Sequence, residues 1–396
     1  MSSNQISQER VIRGRSIHTG NPIEVRIVGD RIVHHTASSE ALEDRNSPWI
    51  SPGFFDIQVN GFGGKDYSLP NLCEEDVIQI IHTLASSGTT THLPTIVTSS
   101  QERFLRNLEV INGAMENYPE ALHGIPGIHI EGPYISEIDG PRGAHDSQYI
   151  RNPDYQELVE WQAASGNRIK IVTLAPERPG SIAFIEKAVA DGVCIALGHT
   201  AATPEEIDRA VAAGARLSTH LGNGSHGVLP RLKNYLWHQL ANDTLHASII
   251  SDGFHLPPAV LNVMLRTKTM DRLVLVSDVA LLGGKAPGAY KWGTIDVQVH
   301  PDGHLSLKDT EFLAGAGHLL NWDIAHFMHT TGSTLADTIR LCTTNPGALL
   351  NLPEVTDIDL KSGSRANITC FSFAPGDTEL RIHETITAGS TIWNAE

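Results

Sequence analysis

Residues 193–214 read VCIALGHTAATPEEIDRAVAAG. An unbroken apolar run ends at Gly198-His199-Thr200, and a helix start follows within a few residues. Thr203 is placed to act as N-cap, Pro204 suits the first helical position, and Glu206 completes a capping box. Gly214 stops the helix. A short strand without polar alternation is one buried on both faces, as in a parallel sheet covered by helices. His199, the polar residue at the strand's C-terminal end, then lies where such units expose their chemistry.

The same rhythm extends in both directions. FFDIQVNG (54–61) precedes a helix near 74–86, and THLPTIVTS (91–99) precedes one starting near Gln101. GIHIEGP (127–133) is a strand followed by a loop and the helical PDYQELVEWQAAS. KIVTLAPE (170–177) leads into SIAFIEKAVA. ARLSTHLGN (215–223), HASIISDGFH (246–255) and LVLVSDV (273–279) supply three more strands, with PPAVLNVMLR between the last two. Eight strands alternating with helices over roughly residues 50–345 predict an α/β fold, a (β/α)8 TIM-like barrel. An open doubly wound sheet would carry a glycine-rich dinucleotide loop after its first strand, and GFGGKDY (61–67) does not match one. The two ends differ in texture. PIEVRIVGDRIVHH (22–35) reads as a hairpin around Gly29-Asp30, and residues 366–393 are strand-rich with turns at Pro375-Gly376-Asp377 and Ala388-Gly389. We expect a small composite β-sandwich domain from residues 1–50 and 362–396, and the barrel over 51–361.

Composition narrows the function. With 29 Lys+Arg against 45 Asp+Glu, the chain carries a formal charge of −16. Its acidic residues are scattered and no basic face shows, which argues against nucleic acid or an anionic membrane as partner. The four cysteines are far apart, without a C-x-x-C pair, so neither a disulfide framework nor a cysteine zinc site is expected. No stretch approaches 18 apolar residues and the N-terminus lacks an apolar signal core, so a cytoplasmic location is expected. Histidine is abundant, at 20 residues, and it is the commonest metal ligand.

In a barrel, reactive groups come from the C-terminal ends of strands. Those ends carry Asp56, Gln58, Asn60, His129, Glu131, His199, His220, Asp252, His255 and Asp278. Glu131, His199 and His220 come from three strands and offer two imidazoles and one carboxylate, a set suited to Zn²⁺ with one position open. Asp278, which alone would read as a cap of its loop, then gains a use as a proton shuttle beside activated water.

These residues carry a resemblance. SPGFFDIQVNGFGG, GIHIEGPYIS, ALGHTAAT, STHLGNGSHG, SDGFHL, LVSDV, LAGAG and NPGALLNL fall in the order and spacing of the N-acetylglucosamine-6-phosphate deacetylase family, in the amidohydrolase superfamily. The resemblance implies a metal held by Glu131, His199 and His220, and Asp278 as general base and then acid. His145, in GPRGAHD, resembles the histidine that polarises the acetyl carbonyl, and His255 a substrate-binding histidine. Asn223 and Gly224 stand where the family contacts the sugar phosphate. Arg231 falls at the spacing of an arginine that reaches the phosphate of a neighbouring subunit, so a homodimer is implied. Gln58 and Asn60 replace the usual H-x-H, which implies one divalent metal per subunit, Zn²⁺, rather than two. The chain departs from the family's H-L-[FY]-N-A-M at Gly222-Asn223-Gly224-Ser225-His226. The expected substrate is therefore an N-acetyl amino sugar, as its 6-phosphate, with an unphosphorylated or differently acylated sugar as the alternative. Another amidohydrolase reaction and a non-catalytic barrel are the remaining competitors; the absent H-x-H and the presence of every ligand argue against them.

Overall fold

The computed structural model describes residues 9–37, 47–293, 295–310, 312–352, 355 and 360–395. Its centre is an eight-stranded parallel sheet, with strands β1 Phe54–Val59, β2 Thr89–Val97, β3 Ile128–Glu131, β4 Ile169–Leu174, β5 Cys194–Leu197, β6 Leu217–Ser218, β7 His246–Ile249 and β8 Leu273–Leu275, each beside its sequence neighbour. A helix follows every strand: Glu74–Ala85, Gln101–Asn117, Tyr155–Ala164, Ser181–Ala190, Pro204–Ala213, Tyr235–Ala241, Pro258–Lys268 and Leu320–Thr331. The capping box forms as its residue types dictate, with Thr203 N donating to Glu206 Oε2 at 2.8 Å and Glu206 N to Thr203 Oγ1 at 3.3 Å. Gly214 ends that helix at φ 117°.

The two edges of the sheet meet differently at top and bottom. At the mouth, Asp278 N donates to Gln58 O at 3.0 Å and Asn60 N to Val279 O at 3.0 Å, which joins β1 to the segment leaving β8. Lower down, Phe55 N donates to Cys342 O and Leu275 N to Leu341 O, so the segment Leu341–Cys342 wedges the seam. The interior is packed with Phe55, Ile57, Leu93, Ile171, Leu217 and Val274, and Leu350 and Val355 join this cluster. The barrel is thus a filled core with an open upper rim.

Strands from both chain ends form one seven-stranded mixed sheet, in the order Ser390–Asn394, Arg381–Thr387, Ile368–Ser372, Trp49–Pro52, Arg10–Ser16, Pro22–Val28, Arg31–Ala37. The sheet curls over on itself: Ile32 N donates to Ser364 O and Ala366 N to Asp30 O, closing it around Ile27, Ile32, Ile50, Ile368 and Ile386. A three-stranded antiparallel sheet, Gly288–Trp292, Ile295–Val299 and Leu305–Leu307, is inserted after β8. Sequence reading did not anticipate it, although the alternation in TIDVQVH and the turn residues Asp302-Gly303 signalled it.

Candidate metal centre and active site

Glu131 is the last residue of β3, and His199 and His220 lie just beyond β5 and β6. All three are buried, with one ligand atom from each within a sphere fit for a single cation. Glu131 Oε1 lies 3.0 Å from His220 Nε2 and 3.4 Å from His199 Nε2, and the two Nε2 atoms are 3.1 Å apart. Metal bonds of about 2.0–2.1 Å in a tetrahedron imply ligand–ligand edges of roughly 3.3–3.4 Å, so the donor set fits one Zn²⁺-sized ion. His199 Nδ1 lies 2.9 Å from Pro141 O, and a proton there leaves Nε2 with its lone pair facing inward.

The backbone is strained where these side chains leave their strands. His199, His220 and Asp278 have φ of 50°, 28° and 48°, in the left-handed region that non-glycine residues avoid. Two glycines approach the His199 ring closely. A Cβ on Gly143 would sit 3.1 Å from the ring, and one on Gly224 2.6 Å from it. Loops from β3 and β6 therefore both close on this imidazole.

Gln58 and Asn60 act as hydrogen-bond donors around the centre. Gln58 Nε2 donates to Glu131 Oε1 at 2.9 Å, and Asn60 Nδ2 donates to Asp278 Oδ1 at 2.7 Å. Burial pushes Glu131 up, but hydrogen bonds from His199 and His220 outweigh it and hold the carboxyl well below the usual range. Asp278 accepts from Asn60 but, among the described residues, from no histidine. Burial, and then the charge of Glu131, raise it to about 6.

His145 reaches the centre from the loop after β3. Its Nε2 is 3.3 Å from His199 Nε2, and its Nδ1 is 2.8 Å from Thr98 Oγ1. Burial lowers it to about 3, so it is a neutral imidazole. Thr98 was not singled out in the sequence; a polar residue just past the end of β2 was the available signal. His129 is occupied structurally, with Nδ1 at Ile57 O and Nε2 at Thr173 Oγ1. Asp56 is tied to Ser277 and the Gln58 amide.

The substrate-side residues are more scattered. His255 Nδ1 pairs with Asp252 Oδ2 at 2.8 Å. Asn223 turns back, its Nδ2 donating to His220 O at 3.1 Å. His226 is pinned by the Tyr235 hydroxyl at both its amide and Nδ1. Arg231 is exposed, and no hydrogen bond joins its guanidinium to the others among the described residues. Around it Val228, Leu232 and Trp237 are exposed as well, at 89%, 79% and 51%.

A buried cluster of one carboxylate and two imidazoles that could hold a metal ion thus lies at the rim of a filled parallel barrel, and the amidohydrolase family model matches residues 49–391. The chain belongs to that family. It is 32% identical over 362 residues to N-acetylglucosamine-6-phosphate deacetylase of Rattus norvegicus, covering 88% of this chain and 84% of the relative. The Lysinibacillus sphaericus enzyme of the same name is 30% identical, over 90% and 88% of the two chains. Among solved structures, N-acetyl-D-glucosamine-6-phosphate deacetylase from Mycobacterium smegmatis superposes with a TM-score of 0.83 at 27% identity, covering 94% of this chain and 96% of that one.

Proposed function

We propose that this protein hydrolyses the N-acetyl group of N-acetylglucosamine 6-phosphate, giving acetate and glucosamine 6-phosphate. The observation that carries the reading is the convergence of Glu131, His199 and His220, with Asp278 and His145 beside them, in a chain related over most of its length to enzymes of that name. Glu131, His199 and His220 would hold one divalent ion, and we assign Zn²⁺ from the mixed imidazole–carboxylate set. When bound, the ion makes hydroxide available near neutral pH and draws charge from the acetyl carbonyl.

The chain's own groups do the rest. Asp278 is ionised at neutral pH, and Asn60 occupies its Oδ1. Oδ2 is then left to take a proton from the attacking water and pass it to the departing nitrogen. A Thr98 hydroxyl donating to His145 Nδ1 leaves the imidazole proton on Nε2, where it meets the carbonyl oxygen as negative charge develops. Gln58 holds Glu131, and neither it nor Asn60 supplies an imidazole for a second ion. His255 contacts the substrate, and Asn223 and Gly224 contact the sugar phosphate. Arg231 reaches the phosphate of a second copy, the exposed Val228, Leu232 and Trp237 forming the contact of a homodimer. Residues 1–50 with 362–396 serve as the small β domain beside the catalytic barrel of residues 51–361, and we place the enzyme in the cytoplasm.

The test is acetate release from matched N-acetylglucosamine with and without the 6-phosphate. Faster turnover of the phosphorylated sugar supports the reading. A preference for the free sugar favours the second reading, deacetylation of an unphosphorylated amino sugar, to which the loop Gly222–His226 and the solvent-exposed Arg231 point.

A further inference from the structure

Five aromatic rings from three separate chain segments stack into one column beside the His255 loop. His300 and His304, at the tip of the inserted sheet, lie face to face at 3.8 Å and 8°. His304 stacks on Phe254 at 4.7 Å, and Phe254 on His318 at 5.6 Å and 12°. His318 stacks on Trp322 of the helix Leu320–Thr331 at 4.3 Å. Phe254 is the middle ring, and it is the chain neighbour of His255.

Hydrogen bonds brace the column. His318 Nε2 donates to Asp302 O at 2.9 Å, tying the tip of the inserted sheet to the segment before the helix. Gly317 packs against Gly303 so closely that a Cβ there would lie 2.0 Å from the Gly303 oxygen. Trp322 Nε1 donates to Asp252 O at 3.0 Å. Asp252 in turn accepts from the amides of Phe254 and His255 at 2.9 Å each, and from His255 Nδ1 at 2.8 Å. The hydrogen bond that the His255 ring makes among the described residues thus stays within the four-residue segment Asp252–His255, which packs against the inserted sheet through Phe254 and is tied to the helix by Trp322. Flat rings resist sliding out of a stack and have few rotamers to lose, which makes them good spacers.

We propose that Phe254, clamped between His304 and His318, is a positioning residue for substrate binding: the column sets the place of His255 at the barrel mouth. The inserted three-stranded sheet is then a strut that fixes a substrate contact. This rests on the reading of His255 as a substrate contact, made above.

The test is a double-mutant cycle in the full-length, zinc-loaded enzyme, with N-acetylglucosamine 6-phosphate as substrate. Phe254→Ala should raise KM about tenfold and leave kcat within about threefold, a loss of binding rather than of chemistry. Phe254→Tyr should restore KM, since it keeps the flat ring. In a His255→Ala background, Phe254→Ala should add no further loss. His304→Ala, at the half-buried outer end of the column, should show a smaller loss of the same kind and serves where Phe254→Ala fails to fold. Independent losses at Phe254 and His255, or a normal KM for both Phe254→Ala and His304→Ala while His255→Ala raises it, overturn the positioning role alone. If His255→Ala leaves KM unchanged, the substrate role of His255 fails and the proposal falls with it.

Discussion

His199, His220 and Asp278 share a property no sequence pattern displays: each leaves its strand at positive φ. The strain turns the side chain in toward the barrel axis, and the surrounding packing holds it there. Replacing His199 or His220 by Ala should remove most bound metal together with most activity, because a three-ligand site has no spare ligand; metal analysis after dialysis checks this. The wild-type protein should retain one tightly bound ion per chain, and two would contradict the role given to Gln58 and Asn60. Asp278→Asn should keep the metal while kcat falls by about 10²–10⁴. Asp278 is raised to about 6, so activity that needs its carboxylate is full above that pH and is lost as pH falls through it. The Asn60 amide favours the charged form, so Asn60→Ala raises the Asp278 value further. The acid limb of kcat/KM should then move to higher pH, and an unmoved limb would assign it to another group.

Among the elements, the unit from β5 to its helix was the most legible because its signals are local. Thr203, Pro204 and Glu206 act within one turn, and nothing distant is needed to place them. Thr203→Ala should therefore cost about 1 kcal/mol of stability in a denaturant melt, with turnover unchanged once the protein is folded. The inserted sheet was harder to find. Its strands are short, and it interrupts the expected passage from β8 to a helix, so the strand–helix alternation does not reveal it. The loop Gly222–His226 was visible as a departure, but its contact with the His199 ring was not, since that contact joins segments from β5 and β6.

For the whole molecule the largest consequence concerns charge. At −16 the protein repels a dianionic ligand at long range, so a phosphate requires specific donors close by. If Arg231 supplies a fork across a dimer contact, Arg231→Ala should lower kcat/KM for the 6-phosphate by roughly 10–150-fold and leave the unphosphorylated sugar nearly unaffected. Equal losses on both sugars, or none, would remove that role. Sedimentation of Trp237→Glu should show more monomer than wild type if the exposed apolar patch is the contact.

The amino-acid sequence alone determined the strand–helix alternation, and hence a barrel with its polar strand ends at one rim. Apolar runs and caps are local properties and do not depend on what they pack against. It also displayed Glu131, His199, His220 and Asp278, because reactive side chains at strand ends stand out against apolar strands. Only the tertiary structure decided that His129 is spent on Ile57 and Thr173 while Glu131, two residues on, faces the histidines. It likewise decided that Thr98 sets His145, and that Phe254 is gripped by rings some 50 and more residues away. The physical reason is the same in each case. A hydrogen bond or a ring stack is specified by the distance between atoms, and chain segments far apart in sequence acquire that distance only when the barrel closes.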